Sequence, residues 1–187
     1  IYSYVKKIGP SYSWYALKSI SNILFETRGD KFAIKSLEKD FNSIPKPDIN
    51  HYYDLANFYK SKELYKKSTE FYTLALKKIN NKHPLFPKIL ERRGTSFERI
   101  DMWNKGEKDL LESLKILPDQ PHVLNYLAYT WIDKGLNLDK ALKMLIKANN
   151  LRKNDGYITD SLGWAYFLLK NYSEAEIFMQ RAVELMP

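Results

Sequence analysis

The sequence predicts an all-α protein, a right-handed α-solenoid of about five stacked helix–turn–helix units, and three observations predict it. Small residues recur at Ser21, Ala56, Gly94, Ala128 and Gly163, in steps of 35, 38, 34 and 35 residues. Around each of them large apolar side chains fall at helical spacing. A second helical stretch with small residues of its own follows each, and three of these stretches close at Pro45, Pro118 and Pro187. Two antiparallel helices approach closely only where side chains are small, so the recurrence marks the crossing points of helix pairs. A single pair has too little core to stand alone, and stacking pairs bury one continuous apolar seam beside an inner groove.

Taken in chain order, residues 1–9 place Tyr2, Val5 and Ile8 at helical spacing and are expected to end a preceding second helix. Residues 14–47 form the first unit, with Leu17, Ile20, Ser21 and Leu24, then Ala33, Leu37 and Phe41, and Asp40 where a small residue is expected. Residues 49–86 form the second, with Leu55, Ala56 and Tyr59, then Tyr65, Ser68, Tyr72 and Ala75. The 38-residue step that follows holds four extra residues, close to one helical turn. The second helix of that unit is therefore expected to run a turn longer, until NNKHPLFP breaks it. Residues 87–120 form the third unit, with Gly94, Phe97, Trp103, Gly106, Leu110 and Ser113 in place and Arg93 where a leucine is usual. Residues 121–155 form the fourth, with Leu127, Ala128 and Trp131, then Ala141, Met144 or Leu145, and Ala148. Residues 156–187 form the fifth, with Leu162, Gly163 and Tyr166, then Tyr172, Ala175, Met179 and Ala182. The chain begins at Ile1 without an initiator Met and stops directly after a helical pattern, so it reads as an excerpt of a longer protein.

Composition removes several function classes. With no Cys there is no thiol nucleophile, thiolate metal site or disulfide. His51, His83 and His122 stand singly, so no metal is expected. No phosphate-cradling glycine loop and no nucleophile elbow is present, so no cofactor and no enzyme activity are expected. Asp109 with Glu112, and Glu174 with Glu176, are expected on solvated faces of second helices. No apolar run reaches the roughly 20 residues of a membrane span. Net charge is +8, and residues 1–93 carry 18 basic and 9 acidic side chains against 12 and 13 in residues 94–187. The basic excess therefore belongs to the first half, where it favours an acidic partner, with nucleic acid as the rival.

These hallmark positions, above all LGWAY followed by Tyr172, Ala175 and Ala182, resemble the tetratricopeptide repeat, and the resemblance covers essentially the entire chain. From GTSFERIDMWNKGEKDLLESLKILP to NDGYITDSLGWAYFLL it looks like the C-terminal repeats of large alphaproteobacterial tetratricopeptide proteins, which tilts the expected location toward the bacterial envelope or periplasm. What the family implies is a non-catalytic scaffold for proteins and peptides. Self-association and a role as the regulatory arm of an enzyme encoded elsewhere in the chain stay open.

The resemblance also implies which residues face the groove. In order along the chain they are Tyr15, Lys18, Ser19, Asn22 and Phe25; Asn50, Tyr53, Asp54, Asn57 and Lys60; Lys88, Glu91, Arg92, Thr95 and Arg99. His122, Asn125, Tyr126, Tyr129 and Ile132 follow, then Tyr157, Asp160, Trp164 and Phe167. Among these, Lys18, Asn22, Tyr53, Asn57, Lys88, Arg92, Asn125, Tyr126, Tyr129 and Trp164 are the candidate peptide-binding residues. Lys18, Asn22, Lys88 and Arg92 match the clamp by which chaperone adaptors of this fold hold a C-terminal carboxylate, with Asp54 in place of its amide donor.

Overall fold

The computed structural model describes residues 10–186, with side chains described from Trp14 onward, so the helix end expected over residues 1–9 lies outside the described residues. Within them ten α-helices follow one another: α1 (Pro10–Arg28), α2 (Asp30–Asn42), α3 (Ile49–Ser61), α4 (Tyr65–Leu76), α5 (Phe86–Glu98), α6 (Trp103–Ile116), α7 (Pro121–Asp133), α8 (Leu138–Leu151), α9 (Gly156–Leu168) and α10 (Tyr172–Leu185). They pack as five pairs, α1 with α2 through α9 with α10, and the protein is all-α as its repeat period predicts.

The small residues sit where helices cross. A Cβ on Gly106 would lie 2.7 Å from the Gly94 carbonyl oxygen, and one on Gly94 would lie 2.9 Å from the Gly106 carbonyl oxygen. The backbones of α5 and α6 thus touch, and neither position has room for a methyl group. A Cβ on Gly163 would meet the Met179 side chain at 2.9 Å, so α9 and α10 come together there.

Four of the turns inside the pairs close in the same way. Leu64, Met102, Leu136 and Asn171 donate their backbone N–H to the carbonyls of Tyr59, Phe97, Trp131 and Tyr166, five residues back. The residue before each, Glu63, Asp101, Gly135 or Lys170, has positive φ. This closure satisfies the last carbonyls of a helix and reverses the chain in few residues. Between pairs, Asp48 caps α3 by accepting the His51 backbone N–H at 3.1 Å, and Asp155 caps α9 by accepting that of Ile158 at 3.3 Å.

The chain divides into two compact units, one up to Asn80 and one from Asn81. In the first, α1–α4 bury Trp14, Leu17, Leu37, Phe41, Leu55, Phe58 and Tyr59. Aromatic rings fill the space between its two pairs: Phe41 meets Tyr52 and Phe71 edge-on at 5.4 and 5.5 Å, and Phe25 meets Phe58 at 5.4 Å. The Tyr59 hydroxyl donates to Glu38, which also takes the Lys67 ammonium, and burial together with the Glu38 charge pushes the phenol pKa upward. In the second unit aliphatic side chains dominate. Leu110, Val123, Leu127, Trp131, Ile132, Leu145 and Leu162 form its core with Ala128, Ala141 and Ala165, and α7 and α9 are in contact.

Two expectations are corrected here. The second helix of the second pair does not run a turn longer: α4 ends at Leu76, and the extra residues lie in the connector 77–85. Its last turns tighten, with Lys78 bonding back only three residues to Ala75, because Lys77 and Lys78 are exposed and give a longer helix nothing to bury. Asp109 is not on a solvated face. It is buried on α6 and takes two hydrogen bonds from the Arg93 guanidinium of α5, at 2.7 and 2.8 Å. Arg93 thus stands where a leucine is usual because its partner across the pair is an acid.

Candidate functional site

The first helix of each pair carries the residues expected to meet a ligand, and the two units arrange them differently. In the first unit they largely satisfy one another. Lys18 on α1 places its ammonium 2.5 Å from the Asp54 carboxylate on α3, so the acid standing at the amide position neutralises the neighbouring cation. Asn57 accepts a hydrogen bond from the Tyr72 hydroxyl at 2.7 Å, and Tyr53 packs its ring 6.2 Å from that of Tyr72. Asn22 is exposed on α1. Phe25 is a correction: it packs against the core cluster of this unit rather than forming a wall.

In the second unit, Lys88 on α5 pairs with Glu91 at 2.8 Å, and Arg92 is half-buried. Thr95 and Ile132, expected on the wall, are buried; Ile132 is 4% exposed and belongs to the core. Ile132 shares that core with Leu162 and Ala165 of the next pair.

Beside the exposed Lys88, Arg99, His122 and Asp160, three aromatic wall residues stay accessible in the second unit. Tyr129 on α7 is 41% exposed, and Tyr157 and Phe167 on α9 are 77% and 43% exposed. Trp164 is half-buried and stacks on Phe167, rings 5.4 Å apart and 20° from parallel, and Phe167 leans on Tyr172 at 5.8 Å. Tyr126 packs against the core and donates its hydroxyl to Glu98 at 2.7 Å, while Asn125 lies half-buried one residue before it. A shallow cavity of about 170 Å³ opens between α5 and α7, lined by Glu98, Arg99, Tyr126, Tyr129, Asp133 and Lys134. The structure therefore brings Tyr126 and Tyr129 to one cavity and Trp164 to the aromatic face of α9.

Sequence reasoning missed Glu98, Thr130, Asp133 and Lys134 as lining residues. Asp133 carried a signal, being the sole acidic or basic side chain other than histidine in α7. Among the described residues no group of three or more His, Cys, Asp or Glu is placed to hold a metal ion, and no helix is long and apolar enough to cross a membrane.

The family model of the tetratricopeptide repeat matches residues 161–187. A TPR repeat-containing protein of Pseudomonas aeruginosa is 29% identical over 99 residues, which is 53% of this chain and 17% of the relative's length. The match thus covers a small part of that larger bacterial protein, and it does not establish the narrower alphaproteobacterial resemblance. Among solved structures, BtubC from P. vanneervenii superposes with a TM-score of 0.74 at 19% identity, covering 92% of this chain and 78% of that one. MamA from Desulfovibrio magneticus gives 0.71 at 17% identity, with 92% and 94% covered. YrrB, described as a TPR protein with an unusual peptide-binding site, gives 0.62 at 18% identity, with 91% and 85% covered. At such identities these likenesses speak for the fold alone. Repeats of this kind generally serve as protein–protein interaction scaffolds and are typically non-catalytic. With five helix pairs, a matching tetratricopeptide repeat over residues 161–187 and solved neighbours built the same way, the chain has the fold of a tetratricopeptide-repeat array.

Proposed function

We propose that this chain is a non-catalytic scaffold that binds a polypeptide segment on the exposed faces of α7 and α9. The observation that carries the reading is the set of accessible rings, Tyr129, Tyr157 and Phe167, on two helices whose opposite faces are buried in one core. Large, stiff aromatic side chains bury much area at small entropic cost and are the usual anchors of recognition surfaces. The candidate residues Asn125, Tyr126, Tyr129 and Trp164 belong to this anchor. Probing a peptide array with the wild-type chain and with a Tyr129→Ser/Phe167→Ser variant tests it. Retained peptides should lose at least tenfold in affinity, about 1.4 kcal/mol, in the variant; undiminished binding would remove α7 and α9 as the anchor.

A second reading, an acidic partner at the first unit, is favoured by a different surface from the clamp. Lys31, Lys35 and Lys39 follow one another at four-residue spacing along α2, all exposed and without an ion-pair partner among the described residues. Lys18, engaged with Asp54, contributes less to such a site than its position suggests. Nucleic acid would be revealed at the same surface by a mobility shift that weakens steeply with salt.

A further inference from the structure

We propose that the α7–α9 face selects polypeptide segments in which lysine or arginine side chains alternate with apolar ones. The inference rests on the peptide-binding reading above and names the chemistry of the ligand. α7 and α9 together contain no lysine or arginine, and their only acidic side chains are Asp133 and Asp160. Both carboxylates are exposed, and neither makes an ion pair or a side-chain hydrogen bond among the described residues. In a chain of net charge +8, a helical face that excludes every lysine and arginine and carries two carboxylates without a protein partner among aromatic rings is complementary to positive charge.

Three of the cations that border this face are engaged elsewhere. The Arg99 guanidinium lies 3.8 Å from Glu98, and the Lys134 ammonium sits over the Trp103 ring, 5.8 Å from its centroid. Arg152 lies 3.4 Å from Asp155. It also places a guanidinium nitrogen 3.0 Å from His122 Nε2. The rings supply the second attraction: an ammonium or guanidinium group is drawn to the face of an exposed tyrosine or tryptophan. Trp164 and Tyr126 pack against the same core cluster, which fixes the two helix faces side by side, and Asp160 stands one helical turn before Trp164. The chain's overall positive charge does not cancel this preference, because at physiological salt charges beyond about 8 Å are largely screened.

The test uses the full chain and synthetic peptides that share one pattern of leucine and tyrosine, with the intervening positions filled by Lys, Gln or Glu. Affinities are measured calorimetrically for the wild type, for Asp133→Asn/Asp160→Asn and for Tyr129→Ser/Phe167→Ser, and the comparison concerns the binding that the last variant abolishes. The Lys peptide should bind about tenfold more tightly than the Gln peptide, and the Glu peptide more weakly than either. Asp133→Asn/Asp160→Asn should bring the Lys and Gln peptides level while leaving the melting curve unchanged, since neither carboxylate has a structural partner. Equal binding of the Lys and Gln peptides to the wild type, or a lysine preference that survives loss of the two carboxylates, overturns the inference and leaves peptide binding standing. Lys-peptide binding insensitive to Tyr129→Ser/Phe167→Ser places the site elsewhere and overturns it too. If no peptide of any charge binds at millimolar concentration, the reading beneath it falls as well.

Discussion

Arg93 and Asp109 show at the scale of single residues how a departure from the usual repeat is accommodated. The Asp109 side chain is 9% exposed, and its two oxygens each receive one arm of the guanidinium. Arg93→Leu, which installs the residue this position ordinarily has, should therefore destabilise the protein by roughly 3 kcal/mol, because it strands a buried carboxylate. Arg93→Leu/Asp109→Ala should recover most of that loss, since replacing both partners removes the uncompensated charge. Chemical denaturation of the two variants checks this, and equal destabilisation of both would mean that the pair contributes through packing alone. The pairing was not legible in the sequence, where the acid sits 16 residues after the arginine on what reads as the polar side of another helix. Helical periodicity reports which side of its own helix a residue occupies, not what the facing helix presents there. Ile132 was misread for the same reason: a position on the first-helix face becomes core where it meets Leu162 and Ala165 of the neighbouring pair.

Among the elements, the turns inside the pairs were the least legible and the helix crossings the most. Crossings leave a compositional mark, because only small residues fit where Gly94 meets Gly106 or where Gly163 meets Met179. The reversing turns leave almost none. Four of them use the same closure, yet only one puts glycine at the left-handed position, and the others hold Glu63, Asp101 and Lys170 there. A side chain with a Cβ costs roughly 1 kcal/mol in that conformation. Lys170→Gly should accordingly raise stability by about 0.5–1 kcal/mol, the exposed lysine losing no partner and the added freedom of the unfolded chain reducing the gain. Asp101→Gly should gain less, since aspartate tolerates the left-handed region better. Thermal melts of the two variants beside Glu63→Gly would rank the effect, and a loss of stability at Lys170 would show that its turn is held by something other than backbone geometry. The misplaced four residues after α4 belong to this scale as well: a turn of helix and a turn of loop have the same length in sequence, and they differ in whether the extra residues find something to bury.

For the molecule as a whole, the consequential feature is that each unit has a core of its own, aromatic in the first and aliphatic in the second. In repeat proteins stability is close to a sum of weak individual repeats and favourable contacts between neighbours, so a minimum of about three repeats is needed before the neighbour terms dominate. The second unit contains three helix pairs, α5–α6, α7–α8 and α9–α10, linked by contacts of α6 with α7 and of α8 with α9. The first contains only two described pairs, joined by ring contacts and by the polar contacts of Lys18 with Asp54 and of Glu38 with Tyr59 and Lys67. A fragment of residues 81–187 should thus give a helical circular-dichroism spectrum and a cooperative melt by itself, whereas residues 1–80 should melt broadly, without a sharp transition. Because the accessible rings and the Asp133 and Asp160 carboxylates lie on α7 and α9, the larger fragment should also retain peptide binding at close to full-length affinity. An unfolded second fragment would make its core dependent on the rest of the chain; a folded fragment that binds nothing would place the ligand's principal contacts on the first unit, where the exposed lysines of α2 would then be the surface to mutate.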